Sequence, residues 1–336
     1  MNELTELHIA ESFVTRSMAA ISPLFLLFLI PIIPLSLLAI LALIVRPRPI
    51  KIPIKSRHVF ITGGSSGIGL ALAHRAASEG ARVSILARSG SKLEEAKKSI
   101  QLATGVEVAT FSADVRDYDA VSKAIDESGP IDVLIVNQGV FTAKELVKHS
   151  PEDVKFTIDV NLVGSFNVIK AALPAMKARK DRGPASISLV SSQAGQVGVY
   201  GYAAYSASKF GLQGLAQALQ QEVISDDIHV TLIFPPDTNT PGFEEARIRP
   251  EVTAIIAASS GSMETEEVAK KAMDGIKAGN FTVSCNFEGF LLSLATTGMS
   301  PQRSFWLAFL EPLKNGAKPK PNDSPTMYLE VLLAEA

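Results

Sequence analysis

The chain is poor in residues that build cross-links and metal sites: it has one cysteine, Cys285, and five histidines. An intramolecular disulfide is excluded, and so is a cysteine cluster holding a metal. The histidines lack metal-ligand spacing, so no metal site is assigned. A lone thiol also fits a catalytic part kept in, or facing, a reducing compartment. An excess of positive charge is missing as well. Lys+Arg 32 against Asp+Glu 34 gives a net charge of −2, which argues against a nucleic-acid binder. No internal repeat of fixed period is visible. What the 336 residues do have is 47% hydrophobic and 20% charged side chains, enough for one large folded domain plus an appendage and incompatible with disorder throughout.

The appendage is N-terminal. No charged residue occurs between Arg16 and Arg46, and Ile21 to Val45 is a run of 25 almost wholly apolar residues. As a helix it would extend roughly 37 Å, enough for a hydrocarbon core of about 30 Å. A secretory signal has a shorter apolar stretch and a small-residue cleavage site, neither of which is present. The reading is therefore a transmembrane anchor over residues 21–45, kinked or interrupted at Pro23, Pro31 and Pro34. Glu3, Glu6 and Glu11 precede it, whereas Arg46, Arg48, Lys51, Lys55 and Arg57 follow it. This asymmetry predicts a short lumenal N-terminus over residues 1–20 and a cytosolic remainder. Residues 46–55, basic and rich in proline, read as an extended linker.

From residue 56 to residue 285 short apolar runs alternate with amphipathic ones. Strands are expected at His58–Thr62, Arg82–Ala87, Glu107–Phe111, Val133–Val136, Ile187–Val190, Val230–Phe234 and Phe281–Ser284. Helices are expected at Ile68–Glu79, Lys92–Ala103, Tyr118–Glu127, Ala204–Ile224 and Glu266–Ala278. Alternation of this kind implies an α/β fold, a doubly wound parallel sheet joined by crossover helices.

The first strand runs straight into Thr62-Gly63-Gly64-Ser65-Ser66-Gly67-Ile68-Gly69 and a helix. Glycines 63, 67 and 69 allow a tight turn, close approach to a pyrophosphate and close helix–strand packing, and the helix-start amides favour negative charge. The spacing is neither that of the P-loop nor G-x-G-x-x-G, and a glycine-rich turn alone is often only structural. Its place after a first strand makes it a nucleotide turn. Arg88 ends the second strand, and no acid lies between Arg82 and Lys92. An acid there would bind the ribose hydroxyls of NAD, whereas an arginine accommodates a 2′-phosphate, so NADPH is the expected cofactor. Ser65 and Lys92 are further candidates to meet that phosphate.

Tyr205 and Lys209 stand four residues apart and share a helix face, with Ser192 just after the strand Ile187–Val190. A tyrosine of reference pKa about 10 needs a nearby positive charge to exchange protons near neutrality, and Lys209 is placed to supply it. Tyr-x-x-x-Lys by itself is usually a solvated helix face. Behind a nucleotide turn and Ser192 it points to carbonyl reduction.

Together, Thr62-Gly63-x-x-x-Gly67-Ile68-Gly69, Asp114, Asn161, Ser192 and Tyr205-x-x-x-Lys209 resemble the short-chain dehydrogenase/reductase family over about residues 56–285. The resemblance implies Tyr205 as general acid/base, Lys209 lowering its pKa and holding the nicotinamide ribose, Ser192 orienting the carbonyl, and Asn161 holding a water in the proton relay. It also places Asp114 beside the adenine and Asn137 at the first position of an Asn-x-Ala-Gly motif, here Asn137-Gln138-Gly139-Val140. Thr240 matches the nicotinamide-carboxamide position.

Ser191–Gln196, Tyr205–Phe210 and Pro235–Phe243 resemble a narrower group: NADPH-dependent reductases of long-chain sphingoid ketones, anchored in the endoplasmic reticulum with the catalytic domain in the cytosol. The implied partners are that ketone and membrane lipid, and a homo-oligomer is compatible with the pattern. Reduction of a steroid or a 3-ketoacyl thioester is the alternative chemistry, and a non-catalytic NADPH-binding membrane scaffold is the alternative class. Residues 286–310 carry apolar runs, Phe287 to Leu294 and Phe305 to Leu310, expected to lie at the membrane as an entrance for a lipid or else to pack on the sheet. Residues 311–336 read as an exposed tail.

Overall fold

A computed structural model describes residues 32, 34–40, 50–179, 182–245 and 250–296, with only the backbone of 244–245 and 256–260. The chain divides into two compact units, residues 1–48 with 304–336, and residues 49–303. In the first, residues 34–40 are helical, the Ser36 hydroxyl donates to the Ile32 carbonyl at 2.7 Å, and Leu35, Leu37 and Ile40 are exposed. The remainder of the expected anchor and the whole of residues 297–336 lie outside the described residues.

The second unit is a parallel sheet of seven strands in the order β3-β2-β1-β4-β5-β6-β7. In chain order the elements are β1 (His58–Thr62), α1 (Gly67–Ser78), β2 (Arg82–Ala87), α2 (Gly90–Thr104), β3 (Ala109–Ser112), α3 (Tyr118–Ser128) and β4 (Val133–Val136). Then come α4 (Pro151–Ile158), a π-helical turn (Asp159–Val163), α5 (Gly164–Ala178), β5 (Ala185–Val190), α6 (Ala203–Val223) and β6 (Ile228–Phe234). The unit closes with α7 (Pro241–Glu245), α8 (Glu251–Ser260), α9 (Thr265–Lys277), β7 (Thr282–Ser284) and α10 (Phe287–Ala295).

The alternation of side chains along each strand feeds two cores. Val59, Ile61, Val83, Ile85, Ile135 and Ile233 face α1, α2 and α9, while Phe60, Leu86, Leu134, Ile187, Leu189 and Leu232 face α3, α5 and α6. Both faces are covered, so the central strands are apolar at nearly every position. The strand order reverses between β1 and β4, and such a switch point opens a crevice at the carboxyl ends of the strands.

Three differences from the sequence expectation have physical causes. The domain begins earlier than residue 56: Ile52 and Ile54 are buried, and the Ile52 amide donates to the Lys277 carbonyl at 2.8 Å, so a free linker over residues 46–55 is corrected from Ile52 onward. β3 starts at Ala109 rather than Glu107, because an edge strand of four residues with a mixed exposure pattern gives a weak apolar signal. The run Pro151–Ala178 was not anticipated. Among the described residues it is the helix long and apolar enough to cross a membrane, yet Val160, Val168, Ile169, Ala172 and Met176 are buried in the sheet's own core.

Candidate active site

The turn after β1 is fixed by main-chain bonds, the Gly63 amide donating to the Leu86 carbonyl at 2.8 Å. Gly63 (φ 64°) and Gly67 (φ 55°) take the left-handed conformation, which a side chain would strain. Gly69 is required for a different reason: a Cβ there would stand 2.2 Å from the Gly63 carbonyl oxygen. Helix α1 starts on the cleft, and like α6 it starts uncapped and without an acid. Its N-cap Ser66 gives no side-chain hydrogen bond and its first turn holds no acid, whereas Ser89 caps α2, Asp117 caps α3 and a Ser150–Asp153 capping box closes α4. The first amides of α1 are thus left to an anion.

Above this turn lies a cleft of about 690 Å³, lined by Gly63, Ser65, Ser66, Gly67 and Ile68 at one side and by Arg88, Lys92 and Asp114 at the ends of β2 and β3. Arg88 and Lys92 are exposed to it. Asp114 is bound by Arg116 through both carboxylate oxygens, the shorter contact being 2.7 Å, and this hydrogen bonding holds its carboxyl below the usual range. Thr240 sits against Gly67, where a Cβ would come 3.0 Å from its methyl group, and it caps α7 by accepting from the Phe243 amide at 3.1 Å. Uncapped amides, no room at Gly69 and an exposed arginine at the end of β2 fit a dinucleotide whose adenosine end carries phosphate.

Ser192, Tyr205 and Lys209 meet at the other end of the cleft. Ser192 leaves β5 in an extended conformation, accepts from the Ala194 amide at 3.1 Å and shares a hydrogen bond with Tyr205. Gly195 permits the close approach of this turn to α6, since a Cβ there would lie 2.5 Å from Ser191 Oγ and 2.9 Å from Lys209. The Lys209 ammonium donates to the Val190 carbonyl at 2.9 Å and lies 5.6 Å from the Tyr205 ring.

Burial dominates the electrostatics of Tyr205 and Lys209. Burial pushes the Tyr205 phenol up to about 12, with the Ser192 hydrogen bond opposing and Tyr202 and Asp237 adding to the rise. Lys209 is itself brought down to about 8 by burial. The phenol is a weak acid held protonated.

Asn161 sits in the π-helical turn, fully buried behind the cleft rather than on its wall. Its Nδ2 donates to the Val140 carbonyl and to Ser208 Oγ, both at 2.9 Å, and its Oδ1 accepts from the Val140 amide at 2.8 Å. All three bonds commit the side chain to protein. Asn137 lines the cleft and donates from Nδ2 to the Gly63 carbonyl at 3.3 Å. Its neighbour Gln138, at the unrestricted position of that motif, was not singled out. Gln138 joins the Thr62 hydroxyl to Ser165 Oγ, and Ser165 in turn donates to the Asn161 carbonyl at 2.7 Å. The cofactor turn and the π-helical turn are thereby one hydrogen-bonded unit.

Comparison with known proteins agrees with this geometry. The family model described as short chain dehydrogenase matches residues 57–251. The chain is 97% identical over 300 residues to 3-dehydrosphinganine reductase TSC10A of Arabidopsis thaliana, covering 89% of this chain and 92% of that protein. It is 82% identical over 274 residues to 3-dehydrosphinganine reductase TSC10B of the same organism, covering 81% and 83%. A Danio rerio 3-dehydrosphinganine reductase is 38% identical over 270 residues, covering 78% and 80%. Among solved structures, levodione reductase superposes with a TM-score of 0.64 at 26% identity, covering 71% of this chain and 98% of that one.

Proposed function

This chain belongs to the short-chain dehydrogenase family, and on that premise we propose that it reduces 3-dehydrosphinganine to sphinganine, with NADPH, in sphingolipid biosynthesis. The near-identity to the named plant reductases over most of the chain carries the substrate. The cluster of Ser192, Tyr205 and Lys209 at the cleft floor carries the chemistry and disfavours a non-catalytic scaffold. Arg88 and Lys92, with no acid at the end of β2, support a cofactor bearing a 2′-phosphate.

Bound NADPH supplies the hydride to the ketone carbon. Ser192 Oγ donates a hydrogen bond to the ketone oxygen and fixes its direction. The Tyr205 hydroxyl gives up its proton to the oxygen as negative charge develops there. A phenol raised to about 12 is fully protonated near neutrality, yet it is far more acidic than the alcohol being formed, so the transfer runs downhill in the direction of reduction. Lys209, anchored on the Val190 carbonyl, keeps a positive charge beneath the Tyr205 ring and is placed to donate to a ribose hydroxyl.

The protein is read as anchored by residues 21–45 in the endoplasmic reticulum membrane with the reductase domain in the cytosol, on the strength of the charge-free run and the basic residues after it. Helix α10, beside the turn after Ser192, is read as a membrane-facing surface. It exposes Phe287, Phe290 and Leu291, and it is tied to the turn after Ser192 by Gln193 Nε2 donating to Asn286 Oδ1 at 2.8 Å and Gln196 Nε2 to Ser293 Oγ at 2.7 Å. The deciding experiment assays microsomes holding the full chain with 3-dehydrosphinganine and each nicotinamide cofactor. NADPH-dependent formation of sphinganine is expected. No turnover of this ketone, with turnover of a steroid or 3-ketoacyl thioester instead, would refute the reading.

A further inference from the structure

Ser192 can direct a ketone only as well as its own turn is held, and that turn is short. Over Gln193–Gly195 the chain makes one tight helical turn, in which Ser192 Oγ accepts from the Ala194 amide at 3.1 Å and the Ser192 carbonyl from the Gly195 amide at 2.8 Å. On one side the Gln193 amide donates to the Pro235 carbonyl at 3.0 Å. The other side is held by α10.

Asn286 is the N-cap of α10, its Oδ1 accepting from the Gly289 amide at 2.7 Å, and the same oxygen accepts from Gln193 Nε2 at 2.8 Å. A main-chain amide can only donate, so the atom that faces it must be the Asn286 oxygen, and Gln193 must turn its NH2 group to meet that oxygen. One backbone bond therefore orients both side-chain amides. Gly289 leaves the room they need, since a Cβ there would stand 2.8 Å from Gln193 Nε2 and 3.0 Å from Asn286 Oδ1. At the end of the turn Gln196 Nε2 donates to Ser293 Oγ at 2.7 Å, and Ser293 Oγ lies 2.7 Å from Ser284 Oγ of β7. Helix α10 thus holds both glutamines of the turn. Gln193 lines the cleft, whereas Asn286 is absent from the cleft wall, so Asn286 can act on the reaction only through Gln193.

We infer that Asn286 is a positioning residue for ketone reduction: by fixing Gln193 it sets the direction in which Ser192 meets the ketone oxygen. The inference rests on Ser192 as the hydrogen-bond donor to that oxygen. Because a misplacement of about 1 Å can cost roughly a hundredfold in rate, the contact is felt in turnover rather than in cofactor binding.

The test compares the full-length enzyme with Asn286→Ser and Asn286→Asp on 3-dehydrosphinganine and on a short soluble ketone. Serine caps a helix as asparagine does, but its side chain ends one bond sooner and gives up Gln193, whereas aspartate keeps both acceptor contacts. Asn286→Ser should lower kcat roughly 10- to 100-fold on both ketones, with KM for NADPH unchanged, and Asn286→Asp should retain most of the activity. Gly289→Ala, which leaves the cap in place and presses on Gln193 Nε2, should lower kcat in the same way and decides the matter if the serine form does not fold. NADPH binding, followed by nicotinamide fluorescence, reports that each variant is folded. Full turnover in a folded Asn286→Ser enzyme overturns the inference. A matching loss of NADPH affinity also overturns it, because general loosening would give that, and so does a loss confined to the long-chain ketone, which would report on entry. If Ser192→Ala leaves turnover intact, it is the reading of Ser192 that has failed, and the inference falls with it.

Discussion

The contribution of Lys209 to the stability of the domain should rise with pH between about 7 and 9. Its ammonium is buried beneath Tyr205 and rests on one carbonyl, and burial lowers its pKa from 10.5 to about 8. In the unfolded chain the same group titrates near 10.5. Between these values the unfolded state binds more protons than the folded one, so the slope of unfolding free energy against pH is positive. The penalty is present in full below the folded value and is gone above the unfolded one. A gap of 10.5 − 8 = 2.5 pK units corresponds to about 3 kcal/mol in total, of which about 1 kcal/mol is recovered between about pH 7 and pH 9. Burial works the opposite way at the Cys285 thiol from about 9 and at the Tyr205 phenol from about 10, where the unfolded groups ionise and the folded ones do not, so the window ends at about 9.

The control is Lys209→Met, which keeps most of the stem and removes the titration. Denaturant midpoints would be measured for both proteins across this pH range, in detergent and without cofactor. Every other group titrates in both, so the difference between the two curves isolates the lysine. It should close by about 1 kcal/mol as pH rises from about 7 to about 9. Parallel curves would mean that the ammonium is solvated or paired, and the burial argument would be wrong.

Tyr205→Phe preserves the ring contacts and removes the proton donor; turnover should drop at least about a hundredfold with NADPH affinity little changed, and retained turnover would dismiss the acid assignment. Arg88→Ala should raise KM for NADPH roughly tenfold or more while leaving KM for NADH nearly as it was, and equal effects would move the 2′-phosphate elsewhere, to Ser65 or Lys92. Replacing Phe287, Phe290 and Leu291 by serine should raise KM for the long-chain ketone roughly tenfold, the equivalent of losing about two methylene contacts at ~0.8 kcal/mol each, with a short soluble ketone unaffected. Equal losses on both ketones would make α10 ordinary packing.

How much of this was legible depended on how strongly a residue type is tied to one environment. The strands β1, β2 and β4 were readable to the residue, because central parallel strands are apolar on both faces and end at glycine or polar residues. The Gly63–Gly69 turn was legible because steric need leaves no other side chain there. Run 151–178 was not, since its apolar residues show neither a clean helical stripe nor a strand alternation, and a π-helical turn shifts the phase midway.

The π-helical turn also explains why Asn161 belongs to the site although nothing reaches it from the cleft. A regular α-helix from Pro151 to Ala178 would carry the same side chains past the strand ends in a fixed rotation. The wider turn at Asp159–Val163 resets that rotation, so that Asn161 points back to Val140 and Ser208 while Ser165 meets its carbonyl. From there Ser165 and Gln138 lead to Thr62 at the head of the glycine turn, and Ser208 donates to the carbonyl of Tyr205 at 2.7 Å. The loop that presents the nucleotide turn and the helix that presents the proton donor are thus held by one buried polar chain. Removing a single member leaves buried partners unsatisfied, which is more disruptive than losing one bond. Asn161→Ala should therefore lower NADPH affinity and turnover together, and loss of only one of the two would show that this chain does not couple them.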